Sequence, residues 1–110
     1  MIGFDLTDEQ RQLKDLAHDF AVKEIRPKAN HHDETGEFPM EIMAKAWELG
    51  LMNVHIPAEY GGGGVPAVTS SLIAEELSWG CAGLAAPIGA TMFPVRPLVR
   101  SGSEEQKQRW

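Results

Sequence analysis

Thr7-Asp8-Glu9-Gln10 is a capping box: the Thr7 hydroxyl is placed to accept from the backbone N–H three residues on, while Gln10 reaches back to the backbone of Thr7. Leu13, Leu16, Ala17, Phe20, Ala21 and Ile25 follow at the 3.6-residue period. Together, the start signal and the stripe constrain the chain more than any other feature. They predict an amphipathic helix to Ile25, whose apolar side must be covered by another element. Asp19 with Lys23, and Glu24 with Lys28, are i,i+4 pairs on its outer face. Pro27 predicts an end or a kink, because it has no N–H and its ring collides with the carbonyl four residues back.

Beyond that helix the pattern stays helical. Asn30 to Phe38 is polar, contains Gly36 and reads as a connector. A second helix is predicted from near Pro39, with Ile42, Met43, Ala46, Trp47 and Leu49 on its apolar face and Gly50 as a left-handed cap. Leu51 to Pro57 reads as a short extended stretch, and Gly61-Gly62-Gly63-Gly64 as a flexible loop. A third helix fits Pro66 to Trp79, with Leu72, Ile73 and Leu77 inward and Gly80 as its stop. From Cys81 to Pro94 the chain is almost uncharged. That predicts a helix buried on most sides, starting near Gly83 or Pro87 and broken around Pro94 and Pro97. Ser103-Glu104-Glu105-Gln106 is a second capping box. Only four residues follow it, too few for a self-sufficient helix, so the chain reads as cut short. The expectation is an all-α fold, an antiparallel helical bundle of about four to five helices with no persistent sheet, in one domain spanning 1–110.

Composition narrows the class. At 110 residues one domain is the limit, and 43% hydrophobic with 24% charged residues excludes wholesale disorder. No apolar run approaches the ~20 residues of a membrane span. The opening Met1-Ile2-Gly3-Phe4-Asp5 has neither the basic nor the apolar region of a secretory signal. A net charge of −6 argues against a nucleic-acid partner. Cys81 stands alone, so no intrachain disulfide forms and nothing points to an oxidising compartment.

No complete catalytic constellation is visible. Gly61 to Gly64 lacks the Lys-Ser or Lys-Thr of a phosphate loop, and Pro66 spoils a dinucleotide register. His31 and His32, beside Asp33 and Glu34, lack metal-ligand spacing and read as a solvated helix end. His55, between apolar neighbours and without a nucleophile pattern, reads as packed or hydrogen-bonded. Glu75 and Glu76 are adjacent on a helix and point about 100° apart, so at best one faces inward, and they read as a solvated pair. Cys81 reads as a small packed residue.

Several blocks, in order along nearly the whole chain, resemble the opening of an acyl-CoA dehydrogenase. They are Leu6 to Gln12, Phe20 to Pro27, Thr35 to Pro39, Ala46 to Pro57, Glu59 to Gly62, Ala74 to Cys81 and Gly102 to Lys107. The block from Trp47 to Pro57 is most similar to the medium-chain branch. The resemblance implies the N-terminal helical domain of a three-domain flavoenzyme that desaturates the α,β bond of an acyl-CoA. In that family a carboxylate removes the α-proton, FAD takes the β-hydride, and an electron-transfer flavoprotein reoxidises the flavin.

It also implies what this stretch lacks and what it holds. The family's β-domain and its catalytic Glu follow later, so no catalytic, cofactor-binding or metal residue is assigned and the isolated chain is expected to be inactive. Part of the acyl-tail pocket falls at Ala85, Ala86, Gly89, Ala90 and Phe93. Gly89 stands where medium-chain members carry a pocket-floor Glu, which leaves chain-length preference open. The implied setting is a homo-oligomer, a tetramer in the full-length enzyme. It is cytoplasmic, or in the mitochondrial matrix if a transit peptide was removed. Alternatives are a non-enzymatic helical interaction module and a related flavin monooxygenase or nitroalkane-oxidase-like enzyme.

Overall fold

A computed structural model describes residues 3–110; Met1 and Ile2, the start of the stretch read for a secretory signal, lie outside the described residues. Helix α1 spans Asp8–Phe20, and both arms of its capping box form: Gln10 N donates to Thr7 Oγ1 at 3.2 Å and Thr7 N to Gln10 Oε1 at 3.0 Å. Ala17, Phe20, Ala21 and Ile25 of the stripe are buried, whereas Leu16 is 36% exposed.

Pro27 does not end this rod. Ala21–Ile25 winds as a π-helical turn, with Arg26 N donating to the Ala21 carbonyl five residues back, and α2 (Arg26–Thr35) continues. The wider turn places Pro27 in a first turn, where its missing N–H costs nothing. Residues 30–35 are therefore helix rather than connector. Their polarity is that of a helix with no buried residue, and Gly36, at φ 69°, supplies the left-handed cap.

Helix α3 (Met40–Glu48) starts after Pro39 and ends before Gly50 at φ 71°. Ile42 and Ala46 are buried and Met43 partly so, but Trp47 and Leu49 are exposed. Trp47 lies about 140° round the helix from Ile42, and Leu49 lies past the last turn. Lys28 reaches Glu41, and Lys45 reaches Glu24, so α2 and α3 run antiparallel.

Helix α4 (Ala67–Ala90) breaks at Cys81, whose extended backbone (φ −171°, ψ 118°) interrupts it one residue after the expected stop. Helices α5 (Met92–Ser101) and α6 (Glu104–Arg109) follow, α6 opening on the second capping box through Ser103 and Gln106. Gln10 meets Thr69, His18 meets Glu76 and Arg26 stacks on Trp79, so α1 and α4 run parallel. The bundle is all-α as expected, but antiparallel order fails for this pair. The long connection through α2 and α3 brings the chain back to its starting end before α4 begins.

The 51–66 segment forms turns and a 3₁₀ turn (Ala58–Tyr60), not an extended strand. Its glycine run is pinned rather than free. Gly64 N donates to Ile56 O at 2.8 Å and Val65 N to Val54 O at 3.0 Å, while Gly62 and Gly63 lie flat against Ile56 and Val54.

The result is a slab of 42 × 40 × 19 Å. Its radius of gyration, 15.0 Å, exceeds the ~13 Å of a compact domain this long. One layer of cover explains the next difference. In the 81–94 stretch only Leu84, Ala85 and Ile88 are buried, so this helix is amphipathic in place and not covered on most sides. Taken as one 35-residue stretch, 67–101 is long and apolar enough to cross a membrane by length and composition alone. The Cys81 break leaves a first arm shorter than a ~20-residue span and a second carrying Pro87, Pro94, Pro97, Arg96 and Arg100.

Candidate functional site

At 100° per residue, Ala85, Ala86, Gly89, Ala90 and Phe93 fall within about 140° on one side of α4 and the start of α5. Ala85 is buried; Ala86, Gly89, Ala90 and Phe93 are exposed, Phe93 at 74%. The structure thus brings the five together on one face but encloses only part of it. Ala85 and Gly89 line a cleft of ≈ 210 Å³ between α4, α5 and the loop after α3, while Ala86, Ala90 and Phe93 lie outside that lining. No atom stands within 4 Å of where a Cβ on Gly89 would sit.

The cleft has an apolar floor of Ile73, Leu77 and Ile88. Its polar members come mostly from residues that sequence reasoning did not single out. Thr91 Oγ1 donates to Asn53 Oδ1 at 2.8 Å and ties the loop to the start of α5. Asn53 takes φ 56°, a left-handed conformation that asparagine tolerates better than most residues. His55 and Arg96 complete that end of the cleft. His55 Nε2 is buried and has no hydrogen-bond partner among the described residues, so the packed half of its expectation holds and the hydrogen-bonded half fails for this nitrogen. Burial, and after it the Arg96 charge, hold the His55 pKa below its usual 6.5, which favours the neutral imidazole. Asn53 and Arg96 carried no local signal, because they meet only through the fold.

Elsewhere the residues sort differently. Glu76 is not solvated: its side chain is 12% exposed, with Oε2 2.7 Å from His18 Nδ1 and Oε1 3.6 Å from Lys14 Nζ. Glu75 is the exposed member of the pair. His31 Nε2 lies 2.8 Å from Glu37 Oε2 and His32 Nδ1 2.6 Å from the Glu37 carbonyl, an exposed helix end. No metal-ligand group of three His, Cys, Asp or Glu occurs among the described residues. Cys81 is half-buried against the core. The Gly61–Gly64 run offers no pyrophosphate cradle, because Ile56 and Val54 cover the faces of Gly62 and Gly63. The glycine run therefore does not fit a flavin's phosphates, and no step is derived through that cofactor.

A one-layer helical slab with an open face of small residues along a broken helix defines a helical domain that presents a surface rather than a finished active site. The sequence pattern described as "Acyl-CoA dehydrogenase, N-terminal domain" matches residues 7–110, and the chain belongs to that family. It is 43% identical over 108 residues to a probable acyl-CoA dehydrogenase of Bacillus subtilis, covering 97% of this chain and 28% of that one. It is 40% identical over 109 residues to a probable medium-chain specific mitochondrial acyl-CoA dehydrogenase of Caenorhabditis briggsae, covering 99% and 27%. The solved butyryl-CoA dehydrogenase of Megasphaera elsdenii superposes with a TM-score of 0.87 at 30% identity, covering 99% of this chain and 30% of that one. The chain spans under a third of the length of these relatives.

Proposed function

We propose that the chain works as the N-terminal helical domain of a flavin-dependent acyl-CoA dehydrogenase, where it forms part of the wall around the acyl tail. The observation that carries this reading is the family match over residues 7–110, joined to one exposed face of small residues on α4. On it, Ala85, Ala86, Gly89, Ala90 and Phe93 contact the hydrocarbon. Their role is steric and desolvating: they set how much chain fits and keep water from it. FAD supplies the hydride chemistry when bound, and other parts of the enzyme hold it. An electron-transfer flavoprotein is the proposed oxidant and acyl-CoA the substrate.

The test is spectroscopic. The complete enzyme that carries this domain is purified and mixed anaerobically with acyl-CoAs of four to sixteen carbons. Bleaching of the flavin band by at least one of them is the expected result. A preparation that binds no FAD, or whose flavin no acyl-CoA reduces, overturns the reading.

A further inference from the structure

We propose that Asn53 is a positioning residue for acyl-chain length: through Thr91 it fixes the junction of α4 and α5, and with it the place of Phe93 beside Gly89 and Ala90. The inference rests on the acyl-tail reading and adds to it a residue that need not touch the tail. Thr91 alone separates Ala90, the last residue of α4, from Met92, the first of α5. Its hydroxyl oxygen lies 2.8 Å from Asn53 Oδ1 and 3.0 Å from the Ile88 carbonyl, so a single proton is shared between the loop and the last turn of α4. Asn53 is itself a fixed post. Its carbonyl accepts from Ile56 N at 3.1 Å, its backbone takes φ 56°, and the carbonyls of Val54 and Ile56 beside it accept from Val65 N and Gly64 N.

Little else holds that end of the slab. No residue of α5 is buried, α5 packs chiefly on α6, and Phe93 is 74% exposed. Among the described residues, the 51–66 segment reaches this arm through side-chain hydrogen bonds at two places. Asn53 with Thr91 ties the start of α5, and Tyr60 Oη, donating to Glu104 Oε2 at 2.9 Å, ties the start of α6. A wall sorts tails by length only if its far end stands still, because motion left in it must be frozen when the tail binds. The Thr91 tie does this for Phe93, which follows in the first turn of α5. The Tyr60 tie lies at the opposite end of α5. The rival explanation is a bond that only stabilises the fold, which would affect tails of every length alike.

The test uses the complete enzyme with the shortest and the longest acyl-CoA that reduce the parent's flavin. The readout is the ratio of their kcat/KM values, long over short. Asn53→Gly removes the amide while glycine keeps the positive φ, and it should lower the ratio about 5-fold, mostly through KM of the long substrate. Asn53→Asp keeps an acceptor for the Thr91 hydroxyl and should hold the ratio within about 2-fold of the parent. In a Thr91→Val background, where the bond is already gone, Asn53→Gly should lower the ratio no further. Tyr60→Phe is the control for a merely structural tie and should leave the ratio as it is. An unchanged ratio in Asn53→Gly, a loss equal for both lengths, or the same drop in Asn53→Asp, in Tyr60→Phe or on top of Thr91→Val each overturns the proposal while the acyl-tail reading stands. A flavin that no acyl-CoA reduces overturns that reading, and this inference with it.

Discussion

A methyl group on Gly80 would stand 3.0 Å from Cβ of Ala21, closer than side chains normally pack. The same methyl would lie 3.0 Å from Cγ2 and 3.1 Å from Cβ of Ile25. Gly80 closes the contact between α4 and the π turn just before the helix breaks at Cys81. Ala21 and Ile25 are fully buried, so neither can swing away. Gly80→Ala adds ~1 kcal/mol of helix propensity but loses ~1–3 kcal/mol to overpacking. The expected net effect is a melting temperature several degrees lower, with little recovery in the double variant with Ala21→Gly, which leaves both Ile25 contacts in place. A Gly80→Ala chain that melts higher than the parent contradicts the close contact.

The glycine run gives a second stability test. A Cβ on Gly62 runs into the Ile56 carbonyl, whereas a free loop would accept one without cost. Gly62→Ala is expected to destabilise the chain by ~1–3 kcal/mol, read by chemical denaturation. A change below ~0.5 kcal/mol shows the loop to be unpinned.

Acid sensitivity should centre on the ion cluster that joins the π turn, α2 and α3. Glu24 Oε2 lies 2.9 Å from Lys45 Nζ and 3.2 Å from Lys28 Nζ. The hydrogen bond from Lys45, above all, holds the Glu24 pKa below its ordinary 4.5. A depressed carboxylate contributes stability that is fully present above 4.5 and is lost as pH falls from there through the folded value. Lys45→Gln should therefore melt below the parent at pH 6, and the gap should close towards pH 3. A gap independent of pH would assign the loss to packing of the lysine stem instead.

His55 titrates in a different window. Its folded pKa lies below 6.5, so the unfolded chain takes up the proton first as pH falls. Its effect is absent above 6.5 and destabilises progressively from there down to the folded value. His55→Gln should flatten the stability profile between pH 7 and 5, as measured by denaturant midpoints. An unchanged slope in that interval would mean that the imidazole titrates as if in water.

Local chemistry explains what was legible beforehand. Capping boxes at Thr7 and Ser103 and the left-handed cap at Gly50 are written in adjacent residues, and they appear where the sequence puts them. Pro27 does not end the helix because the π turn before it, with one extra residue, places the proline in a first turn, and nothing in the adjacent residues announces that wider turn. Helix direction misled too, since no residue near Glu76 signals that His18 will lie beside it. The five proposed tail-pocket positions came from family likeness alone; periodicity adds only that they share one face. The polar part of the cleft was not legible because Asn53 and His55 share one turn while Arg96 lies in α5, and the two stretches meet only in the folded slab.

The most direct test of the account is the acyl-chain profile of the complete enzyme with Gly89→Leu. A Cβ at Gly89 would meet no neighbouring element within 4 Å, so the new side chain starts out into open space that the acyl-tail reading gives to substrate. Measured as kcat/KM across acyl-CoAs of increasing length, the profile should shift towards shorter chains while the melting temperature stays unchanged. A melting temperature lowered by several degrees with the same chain-length profile would show Gly89 to be ordinary packing and contradict the pocket.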